Sequence, residues 1–257
     1  MHAAGHTAEP PIGSTSSATS FAIEAEHLSK RFGRITAVDA LDLALPAARI
    51  YGLLGPNGSG KTTLIRLLSG LTRATSGTAR VLGVEMPSRQ NLARIGYMTQ
   101  ADGIYLELSV WENLAFFAAL FAVDDGDALR AILELVDLAD RRNTPVYELS
   151  GGMRRRLSLA CALIHHPDVL FLDEPTVGID PALRVEFWAY FRRLAAGGTT
   201  ILLSSHVMDE ADRCDELLLM LRGRVLARGS SAAIKTQAGV DDLEGAFLRL
   251  GAPEAGR

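Results

Sequence analysis

Lysine is scarce in this sequence: Lys30, Lys61 and Lys235 are the only three in 257 residues. Cysteine is scarcer still, with Cys161 and Cys214 far apart and in no C-x-x-C or metal-ligand spacing. A disulfide framework and a cysteine metal site are thereby excluded, and a reduced, cytosolic compartment is expected. Long apolar runs are missing. The longest, residues 114–123, reaches about half of the ~20 residues that a membrane span requires. There is no basic excess either: 26 Lys and Arg against 30 Asp and Glu leave a net charge of −4, so no nucleic-acid partner is expected. Residues 1–20 lack the basic start and apolar middle of a signal peptide and read as a disordered tail. The remainder is long enough to bury a sizeable core, as one large domain or one with a helical subdomain.

One of the three lysines lies in Gly55-Pro56-Asn57-Gly58-Ser59-Gly60-Lys61-Thr62, which fits G-x-x-x-x-G-K-[ST] at every fixed position. Residues 49–54 before it read as a short apolar strand. Residues 63–69 after it, from Thr63, have helical spacing, and Gly70 is placed to end the helix. Strand, glycine loop and helix together are the context in which this pattern binds phosphate. Glycines let successive N–H groups turn inward around phosphate oxygens, and the helix N-terminus adds partial positive charge. Lys61 would reach the β- and γ-phosphates and the Thr62 hydroxyl would bind Mg²⁺. The alternative is a glycine-rich turn with a surface lysine. The flanking elements favour a nucleoside triphosphate site.

Residues 21–26 predict a first strand, and Leu41, Leu43 and Leu45, alternating with Asp42 and Ala44, predict a half-buried one. Phe32 between them is either a core aromatic or a flat face for a base, and residue type alone favours the core. Strands follow at 77–82 and 94–98, the second ending at Gln100. Ser109 and Glu112 form a capping box that opens an apolar helix running to about Val123. Helices at 128–136 and after Gly152 complete a helical insert over residues 101–165. Its opening stretch carries Tyr105, Leu106, Leu108 and Trp111, which either fill the insert's own core or line a groove for a partner's helix. Residues 169–172 are a continuous apolar run, as expected of a strand buried on both faces. Asp180-Pro181 starts a helix to about Ala195, residues 200–204 form a strand ending at Ser205-His206, and 217–221 with 224–227 form a final pair. Leu243, Phe247, Leu248 and Leu250 mark an amphipathic C-terminal helix.

The chemistry-bearing residues gather at element ends. Asp173 and Glu174 close the buried strand, a costly position for two carboxylates unless they are used. Asp173 suits holding Mg²⁺ and Glu174 suits polarising a water, unless both only cap the next helix. Leu149-Ser150-Gly151-Gly152-Met153 leads straight into a helix, as a plain N-cap or as a second anion site serving another subunit's nucleotide. His206 and Gln100 by themselves read as strand-end residues. Arg154-Arg155-Arg156 reads as a solvated helix face, and His165-His166 as helix termination that satisfies end carbonyls.

Order and spacing then give a resemblance. The phosphate loop, the strand-end Gln100, LSGGM, the strand with Asp-Glu-Pro, Gly-Ile-Asp-Pro at 178–181 and Ser-Ser-His at 204–206 resemble the nucleotide-binding domain of ABC transporters over residues 21 to about 230. The resemblance implies an α/β phosphate-loop ATPase core: a mixed sheet with flanking helices, an N-terminal antiparallel β subdomain and the helical insert, followed by a C-terminal helical extension at 231–257. It implies ATP and Mg²⁺ as ligands, Phe32 as the adenine-stacking aromatic, and Gln100 as a metal-side glutamine with Thr62 and Asp173. Ser150, Gly151 and Gly152 become the signature that closes on ATP from the opposite subunit. Glu174 becomes the catalytic base, Asp180 the aspartate of the loop beside it, and His206 the γ-phosphate histidine, with Lys61. Phe32 replaces a commoner Tyr, Arg155 a frequent Gln and Ile179 a usual Leu; no catalytic group is lost. Residues 97–113 and 243–250 resemble the branch serving bacterial drug, polysaccharide and lipid exporters. The implied partners are a second ATPase subunit and an integral membrane permease, with this protein peripheral on the cytoplasmic face. A soluble ABC-type ATPase acting on ribosomes or DNA is the alternative. A small-molecule kinase explains the phosphate loop but not LSGGM.

Overall fold

The computed structural model describes residues 21–99 and 103–252; the expected tail, Gln100 and residues 253–257 lie outside them. The chain opens with β1 (Phe21–Phe32), β2 (Ile35–Pro46) and β3 (Ile50–Leu54), then α1 (Lys61–Leu68), β4 (Ser76–Val81), β5 (Val84–Glu85) and β6 (Ile95–Met98). The insert supplies α2 (Val110–Leu120), α3 (Gly126–Leu135) and α4 (Gly151–Leu163). There follow β7 (Val169–Asp173), α5 (Pro181–Ala196), β8 (Thr200–Ser205), β9 (Glu216–Leu221), β10 (Arg224–Gly229), α6 (Ser231–Ala238) and α7 (Leu243–Gly251).

Two sheets result. The first is antiparallel, in the order β2-β1-β4-β5, and in β2 Leu41, Leu43 and Leu45 are buried while Asp42 is exposed, as the alternation predicts. β1 and β2 run further than expected, to Phe32 and from Ile35, because a hairpin at Gly33, with φ of +57°, carries the pairing through the polar Lys30 and Arg31. The second sheet has the order β10-β9-β3-β8-β7-β6, parallel from β9 to β6 with β10 antiparallel at its edge.

Apolar residues on both faces of the parallel strands build two cores. From β7, Val169 and Phe171 pack with α1 and the antiparallel sheet, while Leu170 and Leu172 pack with α4, α5 and the insert. Each such side chain, fully buried, contributes about 1.5–3 kcal/mol. Leu114, Leu129, Ile132 and Leu157 of the insert belong to the same continuous core as Leu170 and Ile201. The C-terminal α6 and α7 cover β9 and β10 through Ile234, Leu243 and Ala246. Helix α6 falls within the helical extension that the resemblance implies at 231–257; Ser230 caps it, accepting from the Ala233 N–H at 3.2 Å.

Pairing register sets the ends of the central strands. Leu54 of β3 lies opposite Ser205 of β8, and Ser204 lies opposite Asp173 of β7. Gly55, His206 and Glu174 therefore leave the sheet along one edge, outside the carboxyl ends of parallel strands, where α/β folds place ligands.

Close packing of α4 on β6 requires Gly96. A Cβ there would lie 2.4 Å from the Ala162 carbonyl oxygen and 2.8 Å from Leu170 Cδ1. We expect Gly96→Ala to cost about 1–3 kcal/mol, read as a lower urea midpoint at unchanged slope. The expected capping box is present: the Glu112 N–H donates to Ser109 Oγ at 3.2 Å and the Ser109 N–H donates to Glu112 Oε2 at 2.8 Å. The Ser109 backbone bond, then its hydroxyl, hold the Glu112 carboxyl below its ordinary value of 4.5. A depressed carboxyl pKa adds stability above the unfolded value and loses it as pH falls through the folded one. The melting-temperature difference between wild type and Glu112→Ala is therefore expected to be full at neutral pH and to shrink below pH 4.5; a constant difference would contradict the ionic contribution.

Candidate functional site

The phosphate loop leaves β3 at Gly55 and enters α1 at Lys61. Gly60, at φ of +108°, passes so close to β2 that a Cβ would stand 2.2 Å from the Ala37 carbonyl oxygen, so no other residue fits. Lys61 is buried, and its Nζ donates to the carbonyls of Gly55 at 2.7 Å and Pro56 at 3.1 Å. Burial pushes its pKa down, while Glu174 and Asp173 push the other way. A buried ammonium held by neutral carbonyls can exchange them for anionic oxygens. Over the loop opens a cleft of about 370 Å³, lined by Phe32, Ile35, Asn57, Gly58, Lys61, Thr62, Thr63 and Glu174 among others. Phe32 is 53% exposed at the hairpin tip, with the Lys30 ammonium 5.0 Å from its ring centre. The core reading of Phe32 fails: a tip residue has nothing on its outer side to pack against.

At the end of β7 the Asp173 carboxylate and the Glu174 backbone are held by a residue to which the sequence reading gave no role of its own. The Ser204 hydroxyl donates to Asp173 Oδ1 at 2.5 Å and accepts the Glu174 N–H at 3.0 Å. The signal was available, since a parallel neighbour in β8 falls opposite Asp173, but only once the strand order is known. Asp173 Oδ2 is buried and has no hydrogen-bond partner among the described residues. Glu174 has φ of +54°, a conformation that costs a non-glycine residue about 1–3 kcal/mol. Its Oε1 lies 3.0 Å from His206 Nδ1. Neither carboxylate caps the next helix; Asp180 does, accepting the Leu183 N–H at 3.0 Å.

The orphaned Asp173 oxygen and the Thr62 hydroxyl on α1 are oxygen donors, which suit Mg²⁺ bound jointly with phosphates. Among the described residues no group of three His, Cys, Asp or Glu side chains is arranged for an all-protein metal site. Gln100, the third expected ligand, lies outside the described residues.

Ser150 caps α4, accepting the Met153 N–H at 3.3 Å, and both it and Gly151 are exposed. A Cβ on Gly152 would lie 2.8 Å from the Gly178 carbonyl oxygen, so the start of α4 abuts the loop that leads to Asp180. None of Ser150, Gly151, Gly152 and Asp180 lines the cleft over the phosphate loop. Lys61, Thr62, Asp173, Glu174 and His206 are brought to one sheet edge; the signature stands apart.

Three readings need correction. Arg155 is not solvated: it is 7% exposed and donates to the carbonyls of Thr99 at 2.9 Å, Glu174 at 2.6 Å and Asp173. Arg156 likewise folds back onto the Val136 and Asp137 carbonyls, both at 3.0 Å. His165 bonds the Ile95 carbonyl of β6 at 3.1 Å and stacks on Phe121 at 3.8 Å, instead of serving the end of its own helix. The apolar stretch 105–111 divides. Trp111 packs on the insert's core, Tyr105 and Leu106 are exposed, and buried Asn113 ties the turn by bonding both the N–H and the carbonyl of Tyr105. A separate apolar groove of about 470 Å³ lies between α2, α4 and β6, lined by Leu71, Leu92, Tyr97, Phe117, Leu120 and Phe121 among others.

Comparisons with known proteins agree with this architecture. Residues 38–177 match the ABC transporter family. Over 95% of its length the chain is 38% identical to the probable multidrug ABC transporter ATP-binding protein YbhF of Escherichia coli K12, and it spans 43% of that protein. It is 44% identical, over 87% of its length and 67% of the relative's, to the Nod factor export ATP-binding protein I of Sinorhizobium fredii. A solved ATP-binding subunit of an ABC transporter superposes with a TM-score of 0.83 at 24% identity, covering 91% of this chain and 100% of that one. A dimeric ATP-binding cassette in a post-hydrolysis state, bound to ADP and Pi, superposes with 0.74 at 20% identity, over 81% and 98%. At such identities the structures speak for the fold, and the sequence relatives speak for descent: the chain belongs to the ABC transporter family, among its ATP-binding proteins.

Proposed function

We propose that this protein is the ATP-hydrolysing subunit of an exporter, pairing with a second such subunit around two ATP molecules to drive a separate integral membrane permease. The observation that carries the reading is what converges at one sheet edge: a buried cation on neutral carbonyls, a carboxylate oxygen without a partner among the described residues, and a strained glutamate. Lys61 exchanges the Gly55 and Pro56 carbonyls for β- and γ-phosphate oxygens, and the N–H groups around Asn57, Gly58, Ser59 and Gly60 complete the cradle. Phe32 stacks on the adenine. Thr62 and Asp173 would hold Mg²⁺, with Gln100 assigned beside them by the resemblance, and the ion would supply positive charge to offset that of the phosphates. Glu174 accepts a proton from water as its oxygen bonds to the γ-phosphorus and the bond to the β–γ bridging oxygen breaks. His206, 3.0 Å from the Glu174 carboxylate, turns toward the γ-phosphate in this reading.

The separation of Ser150, Gly151 and Gly152 from the cleft supports their use in trans. Their exposed helix start closes on the γ-phosphate of the second subunit, and Asp180 lies at that contact. The export reading draws on the relatives, named for multidrug transport and Nod factor export. No described helix is long and apolar enough to cross a membrane, and the apolar groove suits a short cytoplasmic helix of the permease. The protein then sits peripherally on the cytoplasmic face, with no nucleic acid involved.

Glu174→Gln is expected to bind ATP within about twofold of wild type and to lose at least about 10²-fold in hydrolysis. Size exclusion should then show an ATP-stabilised dimer, with Lys61→Ala as the control that fails to bind. Normal turnover by Glu174→Gln would falsify its role as base. For the partner, Leu92→Asp and Leu120→Asp should release the protein from membranes that carry the permease while basal ATPase persists. Unchanged retention would overturn the groove assignment, and a wild type found wholly off the membrane would favour the soluble ATPase.

A further inference from the structure

We propose that Arg155 is a positioning residue for ATP hydrolysis: its guanidinium holds the Glu174 backbone in the left-handed conformation that sets the carboxylate beside His206. The inference rests on the reading of Glu174 as the acceptor of the water's proton. A non-glycine residue keeps a positive φ only where its surroundings over-determine it. Here the peptide groups on both sides of the Glu174 Cα are pinned. Ser204 Oγ takes the Glu174 N–H at 3.0 Å, and Arg155 Nη2 donates to the Asp173 carbonyl and to the Glu174 carbonyl at 2.6 Å. Without that second clamp the peptide after Glu174 is free to turn about the N–Cα bond to negative φ while Ser204 still holds the N–H, and the carboxylate swings away from His206.

The residue type matters. A planar guanidinium spreads its N–H groups in a rigid fork and reaches carbonyls in different directions at once. Arg155 spreads its two terminal nitrogens over two strand ends, with Nη1 on the Thr99 carbonyl at 2.9 Å, just past β6, while Nη2 serves the end of β7. Glutamine ends in a single NH₂ on a shorter arm, and lysine in a compact point charge, so neither can replace this geometry. The placement adds a consequence. Arg155 sits on α4, about one and a half turns from Ser150 at its start. Movement of the signature helix is thereby passed to the backbone of Glu174 through hydrogen bonds and not through loose packing.

The test uses the full chain carrying Arg155→Ala, Arg155→Lys or Arg155→Gln, with Glu174→Gln as reference. Steady-state hydrolysis, binding of a fluorescent ATP analogue and thermal unfolding are measured on each. We expect analogue affinity and KM within about twofold of wild type and kcat at least about tenfold lower. Millimolar guanidinium should restore part of kcat to Arg155→Ala and none to Glu174→Gln, which a general loss of stability does not produce. Should Arg155→Ala fail to fold, the lysine and glutamine variants decide. Wild-type kcat in any folded variant overturns the proposal, as does a kcat loss matched by equal losses of nucleotide affinity and melting temperature. If Glu174→Gln itself turns over normally, the reading of the site falls and this inference with it; if only the Arg155 variants do, the site stands and the positioning role is wrong.

Discussion

Parallel pairing sets Leu54 opposite Ser205 and Asp173 opposite Ser204, so β3, β8 and β7 end level. That register depends on alternate apolar residues filling cores on both faces. A slip of one residue would carry Phe171 and Leu172 to the wrong sides and move Asp173 off Ser204. The price of placing Lys61, Asp173 and Glu174 at one edge is a set of polar groups drawn out of water. Lys61 donates to the Gly55 carbonyl and Ser204 meets Asp173 Oδ1 and the Glu174 N–H, while among the described residues Asp173 Oδ2 is left open. The sheet is thus both the core of the fold and the frame that brings the site's cation and carboxylates within reach of one ligand.

Much of this was legible in the sequence, for physical reasons that differ by element. The strands β3, β7 and β8 are short apolar runs bounded by glycine, proline or acidic residues, and their burial on both faces removes the ambiguity of a half-polar strand. Ser109 and Asp180 declare helix starts because their side chains satisfy backbone N–H groups three residues on. The phosphate loop was legible because its chemistry needs fixed residues at fixed spacing. Arg155 was not. Within Arg154-Arg155-Arg156 nothing local separates a solvated cation from a buried one, and the carbonyls that hold Arg155 come from positions 56, 18 and 19 residues away. Ser204 was hidden for the same reason: its partners lie on another strand. The long β1–β2 hairpin was missed because Lys30 and Arg31 break the alternation although the backbone pairing continues through them.

Phe32 shows how type and position divide the information. An aromatic in a polar stretch has a bland explanation, core packing, which the sequence alone cannot remove. Only the hairpin, ending at Phe32 paired with Ile35, puts the ring at the mouth of the cleft with its face exposed. His165 makes the converse case. A pair of histidines before proline suggests the helix end, yet the ring is used across elements, between Phe121 and the Ile95 carbonyl at the back of the apolar groove. Burial, the largest cause, pushes its pKa down, against the bond to the Ile95 carbonyl, which pushes it up.

The imbalance between the two basic residues, 23 arginines against three lysines, acquires a meaning at the site. Lysine is a compact charge on a flexible arm whose donors can change partners; arginine is a fixed fork that is costly to re-aim. In the role proposed for it, Lys61 needs the first property, because its carbonyl partners would give way to phosphate oxygens. In its proposed positioning role, Arg155 needs the second, because the conformation of Glu174 would have to persist through a cycle of binding, hydrolysis and release. Exchanging the two chemistries would cost both functions: an arginine at Lys61 would overfill a loop closed around Gly55 and Pro56, and a lysine at Arg155 would leave carbonyls of the strained peptide unmet. A chain that uses arginine for nearly every structural cation and keeps a lysine where the partner must change separates holding from exchange by residue type.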